Sequence, residues 1–309
     1  MNPSSRSQVL ISGATGWLGR ETISIINKSK IPKIFSGNLQ LFSSDGRLIK
    51  LTDGSQYPTS NFFENQDLRQ LDAVEGFINL AFLTRDKIKT MDARDYIETN
   101  LNLISQSCRL VETKRPKWIV VVSSGAILDR SSGQLENDVS RNPYGFCKRI
   151  EELLLKDAAR SVGANIVIGR LWGATGAEMP PNPAYAISDF IESARTKGEI
   201  NIRSGGHVFR RYVDAGQFME VLIKLAMAGE SVTLDSGGEL VELSELGTLV
   251  ASFFPDTELT RHGESGSVDD YYPKSDAFDE YARHLGVRIS SIKDQVTRTV
   301  KGHLLQSMN

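Results

Sequence analysis

Apolar runs of strand length alternate along the first half of the chain with stretches whose apolar residues recur every three or four positions. The runs are VLIS from Val9, LQLFSS from Leu39, FINLAF from Phe77, WIVVVSS from Trp118 and NIVIGRLWG from Asn165. Helical periodicity falls between them, over 20–30, 90–113 and 144–162. Strands that alternate with helices predict an α/β fold, a parallel sheet wrapped on both faces with right-handed crossovers. In such a sheet ligands sit beyond the carboxyl ends of the strands, and Gly13, Asn79, Ser124 and Gly173 all fall at such ends.

The segment VLISGATGWLGRETISIINKS reads as strand, tight turn and helix, with glycines at 13, 16 and 19. Glycines let backbone N–H groups approach a pyrophosphate, and the helix N-terminus offers it partial positive charge. A dinucleotide is therefore expected against Gly13, Thr15, Gly16, Trp17, Leu18 and Gly19. An acidic residue closing the second strand would bind the adenosine ribose of NAD, but Ser43 stands there. Ser43 and Ser44 can donate to a 2′-phosphate and Arg47 can pair with it, which favours NADP. NAD stays possible, with Asp45 in the ribose role.

RNPYGFCKRIEELLLK puts Tyr144 four residues before Lys148, on one helix face. A phenol with an ordinary pKa of about 10 is idle at neutral pH, and bringing it to about 7 takes about 4 kcal/mol of help from positive charge. Lys148 is the expected source of that charge. A solvated surface pair is the alternative reading of the same spacing.

The sequence has 309 residues, enough for one large domain or two unequal ones. Net charge is only -2, which offers no basic excess for nucleic acid. The longest apolar runs fall far short of the roughly 20 residues of a membrane span. The start MNPSSRSQ has no hydrophobic signal core, and Cys108 and Cys147 are too few for a disulfide framework, so a reducing cytoplasm is expected. His207, His262, His284 and His303 have no metal-ligand spacing, and no metal is expected.

After Gly173 the texture changes to GATGAEMPPNPAYAISDF, rich in proline and small residues, where the chain is expected to leave the sheet. Residues 43–66 carry two DG turns between short alternating stretches, closer to a hairpin than to a crossover helix.

The glycine turn, Ser123 and Ser124 at a strand end, and PYGFCK together resemble the extended short-chain dehydrogenase/reductase family, most closely its nucleotide-sugar epimerases and reductases. Asn79, Leu80 and Ala81 are similar to the family's "HLAA", with Asn for His; Glu98 to Asn100 to its "xxN"; Arg170 to Trp172 to its "RLFNVYG". Further on, SGGHVFRR resembles "GDGxxxR", LDSGGELVELSELGTLVA resembles "NxGsgxxxSxxEL", and FDEYARHLGVR resembles "kArreLGw". These matches run in order over most of the chain.

The resemblance implies a Rossmann-like doubly wound sheet with a smaller C-terminal substrate-binding region. Residues 1–172 with 212–236 are expected to form the dinucleotide-binding domain, and 173–211 with 237–309 the substrate domain. It implies Tyr144 as acid/base for hydride transfer at a sugar hydroxyl, that of C4, with Lys148 lowering the tyrosine pKa and bonding the nicotinamide ribose. Ser124 is expected to hold the same substrate oxygen. Leu80, Ala81 and Asn100 are expected near the cofactor, and Arg210 is expected to clasp the substrate diphosphate, with Arg211 as an ambiguous neighbour.

Two departures narrow the chemistry. The related dehydratases carry Asp-Glu after their catalytic Thr, whereas Gly125 and Ala126 stand here and move no proton. Gly173 replaces an Asn, which is expected to remove a hydrogen bond and enlarge the pocket. A C4 epimerase of a nucleotide sugar and an NADPH-dependent 4-ketoreductase use the same residues, and a non-catalytic NAD(P)-binding sensor is the reading from another class. The family also implies a homodimer through helices 90–113 and 144–162, with Ile104, Cys108, Val111, Leu153 and Leu154 as its apolar positions.

Overall fold

Residues 8–28, 30–31, 34, 38–62, 74–130, 132–262 and 268–307 are described by a computed structural model. The chain up to Leu171, together with Met219–Leu234, makes one compact unit, and Trp172–Phe218 with the chain from Asp235 onward makes a second.

In chain order the elements begin β1 (Gln8–Ser12), α1 (Trp17–Asn27), β2 (Leu39–Ser43), β3 (Ile49–Lys50), β4 (Gln56–Tyr57), β5 (Ser60–Asn61) and β6 (Val74–Asn79). Next come α2 (Ala93–Lys114), β7 (Trp118–Ser124), α3 (Pro143–Val162), β8 (Asn165–Leu171), β9 (Gly173–Thr175), α4 (Ala186–Lys197), β10 (Glu199–Ile202) and β11 (Phe209–Asp214). The rest are α5 (Ala215–Met227), β12 (Val232–Asp235), β13 (Glu239–Glu242), α6 (Leu243–Ala251), β14 (Glu258–Arg261), α7 (Ala277–His284) and α8 (Ile292–Ser307).

Among the described residues the first unit carries a seven-stranded sheet in the order β5-β2-β1-β6-β7-β8-β12. The neighbours from β5 to β8 all pair in parallel. This is the Rossmann-like α/β architecture that the alternating pattern predicts. Strand order reverses between β1 and β6, so their carboxyl ends open a crevice at the switch point. β7 is buried from Trp118 through Ser123, as befits a strand covered on both faces. Its residue Trp118 is opposite Gly76 of β6, where an added Cβ would lie 2.1 Å from the indole ring. Only glycine leaves room for that ring.

α2 and α3 pack on the sheet through one face each. Leu103, Leu110 and Val111 of α2 join Leu155, Ala158 and Ala159 of α3 and Phe77, Ile119 and Val121 of the sheet in one buried cluster. Each large apolar side chain contributes about 2 kcal/mol by leaving water. Asp92 caps α2 by accepting from Arg94 N, and α3 starts with Pro143 behind the cap Asn142 and ends at Gly163, whose φ is 72°.

Residues 43–57 do form a turn-bounded hairpin: β3 and β4 are antiparallel, with Ile49 opposite Tyr57. β5 then returns to the main sheet beside β2, while 63–66 lie outside the described residues.

The second unit holds the three-stranded sheet β13-β11-β9 and the pair β10-β14. The chain returns to the first unit at Met219 inside α5, later than the expected residue 212. The reason is that β11 lies between β9 and β13 and takes residues 212–214 with it. Gly173 lies in β9 opposite Tyr212, and a Cβ there would come 2.4 Å from the Arg211 carbonyl oxygen. Its small size serves strand approach, which corrects the expectation that it enlarges a pocket.

Candidate active site

The turn after β1 is built for close backbone approach. Gly13 has φ +68°, and a Cβ there would stand 2.5 Å from the Leu80 carbonyl at the end of β6. Gly19 meets Ala14 at the same separation, which seats α1 on the turn. Gly16 caps α1 without a side chain, is exposed, and donates its N–H to Gly13 O at 3.0 Å. First-turn amides of such a helix favour an anion. Thr15, Trp17 and Leu18 are half-buried beside it, and the Thr15 carbonyl accepts from Arg20 at 2.8 Å. Leu80 N donates to Ser12 O at 3.2 Å and Ala81 N reaches Ser12 Oγ at 3.4 Å, so the ends of β1 and β6 are stitched together.

At the end of β2 the structure departs from the expectation. Ser43 is 2% exposed; its hydroxyl donates to Asp45 at 3.2 Å, accepts from Gly46 N at 2.9 Å and lies 2.7 Å from Thr59 Oγ1. It is engaged by its own turn and by Thr59 beyond the hairpin, and is not offered to a 2′-phosphate. Ser44 is exposed, and Arg47 pairs with Asp45 at 3.5 Å. The exposed carboxylate of Asp45 is the group this turn presents.

Tyr144 is set in place by its neighbours. Asn142 donates its side-chain N–H to Ala126 O at 2.9 Å, and Gly145 lies so close that a Cβ would meet the same oxygen. The first turn of α3 is thereby pressed onto residues 125–127, which begin where Ser124 ends β7. Ser124 faces the Tyr144 phenol across this junction and acts on it against burial. Gly125 and Ala126 supply the fit between helix and strand end.

Lys148 lies deeper. Its ammonium donates to Val122 O at 2.8 Å and to Glu151 Oε2 at 2.8 Å, and stands 3.8 Å from the centre of the Phe82 ring. Glu151 Oε1 accepts from Asn79 Nδ2 at 2.9 Å, and Asn79 Oδ1 accepts from Ser12 at 2.8 Å and Ser107 at 2.9 Å. These polar groups are buried and wired across β1, β6, β7, α2 and α3.

The electrostatic consequence reverses the expected one. Burial, only partly opposed by Ser124 and reinforced by the Glu151 carboxylate, pushes the Tyr144 phenol up to about 12. Of the charges acting on the phenol, Glu151 raises it and Arg85 lowers it. Burial likewise raises the Glu151 carboxyl against the pull of Lys148.

Asn100 is fully buried and accepts from Leu83 N at 2.9 Å while donating to Tyr96 O at 3.1 Å. Both polar ends hold backbone, so it positions the segment after β6 in place of contacting a ligand. Tyr96 helps by donating to Leu83 O at 2.7 Å. Glu152 takes a two-pronged bond from Arg170, 2.8 Å on each side, which holds its carboxyl below the usual value despite burial.

Arg210 and Gly173 belong to the second unit. Arg210 forks onto both oxygens of Asp269, at 3.0 and 2.7 Å, and Arg211 onto Asp279 and Asp276. Arg210 thus arrives with a carboxylate already in its fork. Among the described residues no cluster of His, Cys, Asp and Glu has the arrangement to hold a metal ion, and no helix is long and apolar enough to cross a membrane.

Glu151, Ser12, Ser107 and Phe82 went unassigned in the sequence. Glu151 carried a readable signal, three residues beyond Lys148 on the same helix face; the two serines carried none.

Comparison with known proteins agrees with this geometry. The family model described as "NAD dependent epimerase/dehydratase family" matches residues 9–234. No curated protein matches. Among solved structures the chain is similar to a UDP-N-acetylglucosamine 4-epimerase from Methanobrevibacter ruminantium in complex with UDP-N-acetylmuramic acid, with TM-score 0.76 and 16% identity over 97% of this chain and 99% of that one. It is similar also to a UDP-glucose 4-epimerase from Thermotoga maritima with UDP-glucose, with TM-score 0.74 and 17% identity over 98% and 100% of the two chains. A third is a UDP-glucose 4-epimerase from Brucella ovis in complex with NAD, with TM-score 0.73 and 16% identity over 95% and 97%. At these identities the likeness is one of fold.

Proposed function

The chain belongs to the NAD dependent epimerase/dehydratase family, and from that membership we propose that it is an oxidoreductase/epimerase acting on a nucleotide-linked sugar by reversible hydride transfer at C4. The observation that carries this reading is the seating of the first turn of α3 on residues 125–127, which brings Tyr144 to face Ser124 at the carboxyl edge of the sheet with Lys148 one helical turn away.

NAD is the cofactor we infer. The glycine turn fits a pyrophosphate, with Gly13 and Gly16 free of side chains and the start of α1 behind them. Asp45 suits the ribose hydroxyls, and the burial of Ser43 argues against NADP. Solved relatives bind NAD and UDP-sugars, which supports the same ligands here. Held against Gly13 and Gly16, NAD would supply the acceptor for a hydride from the sugar carbon and the donor for its return. In the reducing direction Tyr144 gives its phenolic proton to the keto oxygen, and Ser124 holds that oxygen by a second hydrogen bond. Oxidation runs the same proton in reverse, from the sugar hydroxyl to the phenolate.

Dehydration needs a further acid and base, and Gly125 and Ala126 supply neither. The reductase reading gains from a phenol held protonated well beyond neutral pH, since ketone reduction uses a proton donor. Arg210 binds the substrate diphosphate once Asp269 yields its fork. For a homodimer, Leu101, Leu153 and Leu154 are the exposed apolar positions on α2 and α3, whereas Ile104 and Val111 are buried and face the core. Free Cys108 and Cys147 support a reducing cytoplasm. The test is incubation with UDP-, GDP-, CMP- and dTDP-sugars and their 4-keto forms, with NAD(H) or NADP(H). Product stereochemistry and nicotinamide absorbance are followed together. An epimerase inverts C4 with no net change in absorbance, a reductase consumes the reduced cofactor, and no turnover of any sugar would leave the sensor reading.

A further inference from the structure

Lys148 Nζ has three directions open beyond its own carbon, and the chain fills all three. Val122 O and Glu151 Oε2 stand at 2.8 Å each, and the centre of the Phe82 ring lies 3.8 Å away, face on. The count is the same for an ammonium and for an amine. A ligand group that bonds this nitrogen must therefore displace one of the three. Val122 O belongs to β7, which is paired with β8 on one side and β6 on the other, and is fixed by the sheet. Glu151 is 1% exposed, and its other oxygen is held by Asn79, which Ser12 and Ser107 hold in turn. Phe82 is half-buried, and its ring is kept by contact alone: Lys148 on its face and Tyr144 edge-on, with ring centres 5.8 Å apart and planes at 82°. It is the neighbour that can leave.

We propose that Phe82 is a cofactor-binding residue, whose ring covers Lys148 and the edge of Tyr144 and swings off them to admit the nicotinamide end of NAD; this rests on the reading of NAD as the cofactor and of Lys148 as donor to its nicotinamide ribose. The backbone on both sides of Phe82 is pinned. Ala81 N reaches Ser12 Oγ at 3.4 Å, Leu83 N donates to Asn100 at 2.9 Å, and Leu83 O accepts from Tyr96 at 2.7 Å. The movement is thus a rotation of one side chain between staggered positions, with no loop to open. Phe82 follows Asn79, Leu80 and Ala81, at the fourth place of the family's "HLAA". An alanine there ends at its Cβ and leaves the lysine nitrogen uncovered. With Phe82 in that place, the affinity for NAD is reduced to the fraction of time that the ring stands aside.

The experiment is calorimetric titration of the full chain with NAD and, separately, with ADP, which carries the adenosine and pyrophosphate but ends before the nicotinamide ribose. Phe82→Ala is expected to bind NAD roughly tenfold more tightly than the wild type and to bind ADP equally well, with Phe82→Leu in between for NAD. A gain of the same size for both ligands, or no gain for NAD, would overturn the proposal. Should the alanine variant not fold, a fluorine reporter decides: Phe82→4-fluorophenylalanine keeps the size of the ring, and saturating NAD should move its resonance while ADP leaves it in place. A resonance that NAD does not move would overturn the proposal. Binding of NAD without any Phe82 effect defeats the role of Phe82 alone, whereas a wild type that binds neither ligand defeats the NAD reading and the role of Phe82 with it.

Discussion

The two units handle charge in opposite ways. In the first, Lys148, Glu151, Asn79, Ser12 and Ser107 form a buried chain in which each group holds the next. In the second, arginines clasp carboxylates pair by pair nearer to solvent, as Arg210 does with Asp269, at 24% and 38% side-chain exposure. Buried partners hold a fixed geometry but cannot exchange without leaving a bare charge, whereas half-exposed pairs are cheap to open. The first arrangement suits a proton-transfer centre that must not move. The second suits a guanidinium that trades a carboxylate for a phosphate.

Four measurements would break or sharpen this contrast. The largest effect belongs to Tyr144→Phe, which should lower turnover of the identified sugar about 10³-fold with the fold retained, read by steady-state kinetics and circular dichroism. Next, Glu152→Ala removes the two-pronged partner of Arg170 inside the first unit, and denaturant melts should show a loss of about 3–5 kcal/mol. Asp269→Ala in the second unit should cost about 1 kcal/mol or less. Equal losses would erase the distinction.

Alkaline pH gives the third. Burial raises both Tyr144 and Tyr212 to about 12, one in each unit. A group raised above its unfolded value of about 10 stabilises fully below pH 10 and loses that contribution as pH climbs toward 12, because the unfolded chain sheds its proton first. For the buried Tyr212 the loss should reach about 2 kcal/mol, with less for the half-buried Tyr144, and Tyr212→Phe should flatten the slope of melting temperature against pH. The smallest effect is expected from Asp269→Asn. By loosening the Arg210 fork it should tighten sugar-nucleotide binding about threefold in calorimetry, and weaker binding would mean that Arg210 serves only its own unit.

What was legible in the sequence was local. The Gly13, Gly16 and Gly19 turn and the Tyr144–Lys148 spacing are written within a few residues, and the alternation of strands and helices repeats often enough to specify a parallel sheet. The partner of Lys148 was equally near, but a carboxylate three residues along a helix gives no sign of whether it turns inward. That depended on Asn79, 72 positions before Glu151, and on Ser12 at the end of another strand. Ser43 and Gly173 misled for the same reason: one was matched by Asp45 two residues on and by Thr59 beyond the hairpin, the other by the backbone of a strand reached only after many residues. Residue type suggested a ligand role where tertiary contact had already assigned a structural one.

The indole of Trp118, laid over Gly76 on the adjacent strand, gives the molecule an internal optical gauge. The other two tryptophans are Trp17, at the head of α1, and Trp172, in the second unit, where its indole donates to Asp235 at 2.8 Å. With Trp17 and Trp172 replaced by Phe, emission would report the pairing of β6 with β7 alone. With Trp17 and Trp118 replaced, it would report the second unit alone. Two colour shifts that coincide along a urea gradient would mean that both halves melt as one cooperative body; separate shifts would measure how independently each half stands.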